Sequence, residues 1–215
     1  IGNYGIGEPI YDEFGIDKIF ESNNIHIKAL IVGEYNPKYS HWRGKKSLGE
    51  WLQEKNIIGI SGVDTRELVK IIRENQDIIG RISNDLNMSE IIKIKNIEEI
   101  VNETKPEKVS LKVDLFGSGI DEINVNEINN KIIINKNEDL LNILVVDCGI
   151  KNSQLRSLLK RNVQLSIVNV EYNFIDEVFE GEYDGIFISN GHGNPVKSKC
   201  VVDQLQRIFE SILEI

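Results

Sequence analysis

The fold class follows from one stretch in the second half of the chain, Asn142-Ile143-Leu144-Val145-Val146-Asp147-Cys148-Gly149. Its consecutive apolar residues predict a buried strand, and the Asp-Cys-Gly that follows predicts a turn. Leucines at helical spacing over 153–162 then predict an amphipathic helix. The order of strand, turn and helix indicates the first half of a βαβ unit.

The same alternation continues towards the carboxyl end of the chain. A second strand is predicted over 165–170, a short helix over 174–180 and a third strand over 185–189. Successive parallel strands are joined by right-handed crossovers, so this order predicts an open α/β domain with a parallel sheet. Ligands of such sheets bind at the carboxyl ends of the strands, where the loop 190–195 lies.

Shorter patterns occur in the first part of the chain. A short helix is predicted over 12–22, a strand over 26–33 and a short buried run over 57–60.

Two further helices are predicted from their capping residues. Ser47 and Glu50 have the spacing of a capping box at the start of a helix over 47–56. Asp64 can accept the first free amides of the next helix while Glu67 reaches back to its start. The apolar face of that helix comprises Leu68, Ile71 and Ile72.

The helix and strand patterns weaken between 84 and 142. The stretch 121–130 is rich in Asn, Asp and Glu, which is typical of a loop or an insert. We therefore predict a linker or insert over 117–142, an amino-terminal domain over 1–116 and a second domain over 143–215.

The composition excludes several classes of protein. The 215 residues are 40% hydrophobic, so the chain can bury a core. Its net charge of −9 disfavours binding to nucleic acid, because such binding depends on cationic contacts to phosphates. No apolar run approaches the ~20 residues that span a bilayer, so we expect no membrane partner. The two cysteines lack CxxC spacing, which argues against a disulfide framework and a zinc site and makes the cytoplasm the default compartment.

A glycine-containing loop, Asn190-Gly191-His192-Gly193, follows the third predicted strand. Its glycines would let backbone N–H groups approach a ligand, and such groups can form half of an oxyanion hole for acyl transfer. On spacing alone, a simple turn is an equally good interpretation. The next residues, 194–196, supply no third glycine, so the loop does not complete a dinucleotide-binding motif.

Neither the cysteines nor the histidines form a recognisable site. Cys148 lies in a turn and Cys200 opens a helical pattern, and neither has the glycine-lined elbow of a nucleophile, so both are predicted to be structural. The histidines, which are His26, His41 and His192, are far apart and lack neighbours at metal-ligand spacing, so no metal site is predicted.

Segments in both halves of the chain carry a resemblance to a known family. Gly62-Val63-Asp64-Thr65-Arg66-Glu67-Leu68, preceded by Trp51-Leu52-Gln53, is similar to a signature in the small subunit of glutamine-dependent carbamoyl phosphate synthetase. The opening, Ile1-Gly2-Asn3-Tyr4-Gly5, resembles the form fused into eukaryotic multifunctional pyrimidine enzymes. Asp147-Cys148-Gly149-Ile150-Lys151 and the loop from Ser189 to Pro195 resemble the start of its class I glutamine amidotransferase domain.

The resemblance implies an α/β fold in two parts. The first is the mixed α/β small-subunit domain without its start, and the second is the first half of a flavodoxin-like amidotransferase domain with an open parallel sheet. The implied activity is that of a ligase with a glutaminase half-reaction, which supplies ammonia for carbamoyl phosphate in pyrimidine or arginine biosynthesis. The implied partners are L-glutamine and a synthetase large subunit or fused synthetase domains. ATP, bicarbonate and Mg²⁺ are expected in the synthetase part, and no cofactor is expected in this region.

The resemblance assigns a binding role to two glycines. Gly191 and Gly193 match the loop that contacts glutamine, and the Gly191 amide is placed at the oxyanion hole. The family loop reads Asn-Gly-Pro-Gly-Asp-Pro, whereas this chain has His192 and Asn194 at two of its positions. Histidine adds an N–H and flexibility where proline would fix φ, which bears on the preorganisation of the hole.

Other matched positions are given a structural role, namely Asp147, Gly149 and Lys151. Ser153 stands where the family commonly has asparagine.

The resemblance also implies that catalytic residues lie outside this chain. The nucleophile elbow is expected a few residues after Ile215, with its His and Glu partners further on, and a glutamine-binding serine is expected before Ile1. This chain is therefore expected to be inactive alone. An alternative is a non-catalytic interaction module that docks a synthetase partner through 1–116, and a different class of amidotransferase is disfavoured by the 62–68 segment.

Overall fold

The computed structural model describes residues 4–22, 24–75, 78, 80, 82, 125–128, 131–191 and 198–213. In chain order, these residues form β1 (Ala29–Ile31), α1 (Leu48–Glu54), β2 (Ile58–Ile60), α2 (Thr65–Glu74), β3 (Val125–Ile128), β4 (Lys131–Ile134), β5 (Asn142–Asp147), α3 (Asn152–Leu159), β6 (Gln164–Asn169), α4 (Ile175–Phe179), β7 (Gly185–Ile188) and α5 (Lys199–Leu213). No helix among them is long and apolar enough to cross a membrane.

The chain divides into two compact units. The first comprises Ile1–Glu8 and Asn24–Glu103, and the second comprises Pro9–Asn23 and Thr104–Ile215. The segment 9–23 thus belongs with the second unit, although it lies within the range predicted for the amino-terminal domain. The limits 1–116, 117–142 and 143–215 stay a prediction.

The first unit contains a parallel pair of strands, β1 and β2, with Ala29 opposite Ile58. The α1 helix between them begins at Ser47, and both bonds of its capping box are present. The Glu50 N–H donates to Ser47 Oγ at 3.2 Å, and the Ser47 N–H donates to Glu50 Oε2 at 2.7 Å. The capping box is therefore confirmed. The prediction that 57–60 is buried is wrong, because Ile58 is half exposed on a strand whose described neighbour lies on one side only.

The α2 helix begins where its capping residue predicts. Asp64 Oδ1 accepts from the N–H groups of Arg66 and Glu67, at 3.0 and 3.1 Å. The predicted bond from Glu67 back to the start of the helix is not formed, and the Glu67 carboxylate accepts from Lys70 Nζ at 3.2 Å instead. The apolar side of the helix is not buried, and Val69, Ile71 and Ile72 are each at least 40% exposed.

The helix predicted over 12–22 is wrong. These residues form turns that are held by aspartate side chains, and Asp12 Oδ1 accepts from the N–H groups of Phe14 and Ile16 at 2.9 Å each. Asp17 makes bonds of the same kind. Short carboxylates compete for the backbone donors that a helix would use, which explains why an apolar spacing near that of a helix gave the wrong prediction here.

The second unit is built on a mixed five-stranded sheet with the order β3-β4-β6-β5-β7. The three predicted strands, β5, β6 and β7, are parallel, and the helices α3 and α4 follow β5 and β6 as predicted. An antiparallel hairpin, β3 and β4, extends the sheet beyond β6. This hairpin lies within 117–142, the stretch predicted as a linker. Ile132 and Ile134 of β4 alternate towards the core and are buried.

Apolar side chains are buried on both faces of this sheet. Val145 belongs to one cluster, while its neighbours Leu144 and Val146 belong to the other, as expected for a strand covered on both sides. The first cluster is completed by Ile16, Ile132, Ile134, Leu155, Leu159, Val163, Leu165 and Ile167. The second is completed by Val168, Val170, Phe174, Ile175, Val201 and Ile208.

Candidate functional site

The carboxyl ends of β5 and β7 bring two predicted site segments together. The strands pair up to Val146 opposite Ile188, so the next residues of each chain segment meet at the edge of the sheet. The Ser189 N–H donates to the Val146 carbonyl at 3.1 Å, and the Cys148 N–H donates to Ser189 Oγ at 2.9 Å. The edge is thus a fixed junction between the turn after β5 and the loop after β7.

Gly191 lies directly against the turn after β5. A Cβ atom at this position would be 2.5 Å from the Cys148 carbonyl oxygen and 2.9 Å from Cys148 Cβ. No side chain fits at that distance, so glycine is required here by close backbone approach. Gly191 is exposed, and its N–H donates to no other residue of the described part of the chain.

The turn after β5 is organised by Asp147, which is 2% exposed. Its Oδ1 accepts from the N–H groups of Gly149 and Ile150, both at 2.8 Å. Gly149 has φ +126°, a conformation that favours glycine. Both residues therefore have the structural role that the sequence predicted, and they hold the Cys148 backbone in place.

The start of α3 is covered by the segment 9–23. The Asn152 side chain donates to the Phe20 carbonyl at 2.9 Å, and the Ser153 N–H donates to Glu21 Oε2 at 3.0 Å. Burial acts to raise the pKa of Glu21, but hydrogen bonds from Ser153 and the charges of Lys151 and Arg156 outweigh it, so the pKa lies below its ordinary value. This carboxylate occupies the electropositive start of α3.

A buried ion pair anchors the same segment. Arg156 Nε donates to Asp12 Oδ2 at 2.5 Å, and Arg156 also donates to the Asp17 carbonyl at 2.5 Å. The Asp12 side chain is fully buried and that of Arg156 is 18% exposed. The segment 9–23 is therefore an integral part of the second unit. Sequence reasoning missed this role, since the partners are about 140 residues apart.

The surroundings of Cys148 do not activate it as a nucleophile. Burial and the adjacent Asp147 carboxylate raise the pKa of the Cys148 thiol, which disfavours the thiolate that attack requires. Cys200 is exposed on the first turn of α5, where its Sγ lies 3.3 Å from Gln204 Nε2. Both thiols are free.

Several predicted site residues cannot be placed. His192, Gly193 and Asn194 lie outside the described residues, so the contact of Gly193 with glutamine stays a prediction. His26 and His41 lie in the first unit. Within the described ranges, no group of three His, Cys, Asp or Glu side chains is arranged to hold a metal ion.

Comparison with protein families matches both parts of the chain. Residues 1–82 match the model of the carbamoyl-phosphate synthase small chain, CPSase domain. Residues 144–215 match the model of the class-I glutamine amidotransferase. The first part of the chain is thus similar to carbamoyl-phosphate synthase small chains, and the second part is similar to class-I glutamine amidotransferases. The matched amidotransferase range begins within β5 and includes the whole junction between Cys148 and Gly191.

Curated relatives align along nearly the whole chain. The Multifunctional protein ura1 of Schizosaccharomyces pombe is 39% identical over 98% of this chain and 10% of its own length. The arginine-specific small chain of carbamoyl phosphate synthase from the same organism is 32% identical over 98% of this chain and 46% of its own length. Human mitochondrial carbamoyl-phosphate synthase [ammonia] is 33% identical over 98% of this chain and 12% of its own length. The chain thus spans less than half the length of these relatives.

Ser189 is a residue of this edge that sequence reasoning quoted without giving it a role. It is 6% exposed, and its hydroxyl also donates to the Asn190 carbonyl at 2.8 Å. The only signal in the sequence is a polar residue directly after an apolar strand and before the glycine loop. That pattern does not reveal which backbone groups the hydroxyl joins.

Proposed function

We propose that this chain is part of the glutaminase region of a glutamine-hydrolysing carbamoyl phosphate synthetase. In the complete protein it binds L-glutamine and supplies ammonia to a synthetase large subunit or to fused synthetase domains. The observation that carries the proposal is the close approach of Gly191 to the Cys148 carbonyl at the carboxyl edge, where the Gly191 N–H donates to no other described residue. It is supported by the family match over the same residues.

The chemistry assigned to this edge is stabilisation of an oxyanion. A cysteine thiolate attacks the side-chain amide carbon of glutamine, and the carbonyl oxygen takes up the negative charge. The Gly191 N–H donates to that oxygen in the tetrahedral intermediate, which lowers the barrier to its formation. Ammonia then leaves as the thioester forms, and water hydrolyses the thioester to glutamate. Gly193 contributes a second contact to glutamine in this proposal.

The nucleophile in this scheme is a residue that the resemblance places after 215. Cys148 is unsuited to the role because its raised pKa keeps it as a thiol, and its backbone is held by the Asp147 turn. ATP, bicarbonate and Mg²⁺ belong to the synthetase part of the reaction. We propose a cytoplasmic location, since two free cysteines are compatible with a reducing compartment.

The test is glutamate release from glutamine by the complete protein and by its Gly191→Ala variant. A methyl group at 191 would displace the loop from the Cys148 carbonyl. We expect kcat to fall by about 100-fold or more, as for loss of one oxyanion-hole donor. Val202→Ala, a change at an exposed position of α5, is the control and should retain activity. Unchanged turnover in Gly191→Ala would refute the role of Gly191, and no turnover by the wild type would refute the glutaminase assignment.

A second candidate function is a non-catalytic module that docks a synthetase partner. It is favoured by the exposed apolar side of α2, formed by Val69, Ile71 and Ile72. A relative whose name specifies ammonia, carbamoyl-phosphate synthase [ammonia], also aligns over 98% of this chain. Under this alternative the complete protein makes carbamoyl phosphate from ammonium chloride and does not hydrolyse glutamine.

A further inference from the structure

The Ser189 hydroxyl connects the two backbone segments that meet at the carboxyl edge. It accepts from the Cys148 N–H at 2.9 Å and donates its one proton to the Asn190 carbonyl at 2.8 Å. Because Ser189 is buried, solvent is poorly placed to replace either bond. The Cys148 N–H itself comes from the turn that Asp147 holds through two hydrogen bonds. The Ser189 hydroxyl is therefore hydrogen-bonded to a backbone segment that is itself held in place.

The bond to Asn190 determines the direction of the next N–H group. The Asn190 carbonyl and the Gly191 N–H belong to one peptide unit, which is planar and trans. The two groups point to opposite sides of that unit, so fixing the carbonyl fixes the N–H. A rotated peptide would lose the Ser189 bond and turn the carbonyl towards the position that the N–H now occupies.

We infer that Ser189 is a positioning residue for the oxyanion hole. It holds the Asn190–Gly191 peptide with its N–H directed to the carboxyl edge, where the oxyanion of the glutamine intermediate forms. This inference rests on the proposed function, because it takes the Gly191 N–H as the donor. Close approach of Gly191 to the Cys148 carbonyl fixes the position of its Cα, while Ser189 fixes the rotation of the peptide.

The test compares substitutions of Ser189 in the complete protein by glutamate release. In Ser189→Ala we expect kcat to fall by about 10- to 100-fold while KM changes less than about twofold, because the lost interaction acts on the transition state. Ser189→Thr keeps the hydroxyl and should retain kcat within about threefold. Ser189→Cys carries a weaker donor, so its kcat should lie between those of the wild type and Ser189→Ala.

Ser166→Ala is the matched control. Ser166 is also buried in this sheet, and its hydroxyl donates to Asn142 Oδ1 at 2.9 Å, at the amino-terminal end of β5. We expect its removal to leave kcat and KM for glutamine unchanged. Carbamoyl phosphate formation from ammonium chloride reports on the synthetase part and should be unchanged in all four variants. If Ser189→Ala does not fold, the order of kcat in Ser189→Thr and Ser189→Cys decides the question.

The outcomes separate this inference from the proposal beneath it. If Gly191→Ala loses glutamine hydrolysis while Ser189→Ala keeps the wild-type kcat, Ser189 is not a positioning residue and the glutaminase function stands. A rise in KM of about 10- to 100-fold for Ser189→Ala without a change in kcat would likewise overturn the inference. If the wild-type complete protein does not hydrolyse glutamine, both the inference and the proposed function are overturned.

Discussion

At the scale of single residues, the carboxyl edge depends on close backbone contacts more than on reactive side chains. Position 191 must be glycine because the Cys148 backbone leaves no room for a side chain there. The Cys148 backbone is in turn held by hydrogen bonds within the Asp147 turn and to Ser189. The cysteine contributes its backbone, and its thiol lies in surroundings that disfavour ionisation. A free cysteine beside a proposed active site is thus explained as a structural residue.

The raised pKa of Cys148 predicts slow alkylation. Burial and the Asp147 charge lower its thiolate fraction at any pH below the pKa, and iodoacetamide reacts with the thiolate. We expect Cys148 in the folded chain to react more slowly between pH 7 and 9 than it does in the chain unfolded in urea. Mass spectrometry of the labelled peptide measures both rates. The Cys200→Ser variant removes the other thiol and serves as the control, and equal rates in both states would contradict the prediction.

At the scale of secondary-structure elements, the segment 9–23 and the β3–β4 hairpin complete the second unit. The segment packs on α3 through the Arg156–Asp12 pair, and Ile16 is fully buried in the core. The hairpin is tied to α4 by Lys131 Nζ, which donates to Glu177 Oε2 at 2.9 Å and to the Tyr183 hydroxyl at 2.7 Å. The sheet is thus enlarged by parts of the chain that lie outside the βαβ series.

Removal of the Arg156 guanidinium should destabilise the second unit. It would leave the carboxylate of Asp12 buried without its partner, which costs about 3–5 kcal/mol for a buried ion pair. Urea unfolding of Arg156→Ala, followed by hydrogen exchange of the α3 amides, measures the change. Arg161→Ala, an exposed arginine two residues after the end of the same helix, is the control and should cost less than about 0.5 kcal/mol. Equal effects of the two variants would contradict an anchoring role for the segment.

The tyrosines around Glu177 predict a loss of stability at high pH. Burial, a hydrogen bond to Glu177 and its charge raise the pKa of Tyr172 to about 12, and the same causes raise that of Tyr183 further. The neutral phenols are favoured in the folded state, so their contribution is complete below pH 10 and is lost as pH rises towards 12.

Urea midpoints of the second unit between pH 8 and 12 test this dependence. We expect the midpoint to fall above pH 10, and we expect a shallower fall in the Tyr172→Phe/Tyr183→Phe variant. Tyr39→Phe lies in the first unit and should leave the slope unchanged. A slope that is the same in the wild type and the double variant would contradict the assigned pKa shifts.

The sequence predicted the elements whose signal is local. The strands β5 to β7 and their helices follow from continuous apolar runs and amphipathic spacing, and the start of α1 follows from Ser47 and Glu50. The helix predicted over 12–22 failed because Asp12 binds backbone N–H groups, and apolar spacing does not report that competition. The hairpin was missed because its apolar residues, 132–134, lie beside a polar stretch that is typical of a linker.

In the candidate site, too, only the features with a local signal could be predicted from the sequence. The glycine loop was found from its residues, and the close approach at Gly191 explains why one of those residues is glycine. The roles of Ser189 and Arg156 depend on partners that are far away along the chain, at Cys148 and Asp12. Such pairings are set by the sheet order and cannot be derived from spacing in one sequence.

At the scale of the whole molecule, this chain corresponds to one part of longer relatives. The chain covers 46% of an arginine-specific small chain and 10% of a fused multifunctional relative. In our proposal, glutamine hydrolysis at the carboxyl edge contributes to carbamoyl phosphate synthesis only if the ammonia reaches a synthetase. The proposal therefore depends on the transfer of nitrogen from glutamine to carbamoyl phosphate by the complete protein.

The most direct test follows that nitrogen. The complete protein is incubated with glutamine labelled with ¹⁵N in the side-chain amide, together with ATP, Mg²⁺ and bicarbonate, and the carbamoyl phosphate is analysed by mass spectrometry. We predict that the label appears in carbamoyl phosphate with the wild type and is lost with Gly191→Ala, while ammonium chloride supports both. Formation of carbamoyl phosphate from ammonium chloride, without any label from glutamine in the wild type, would contradict the account.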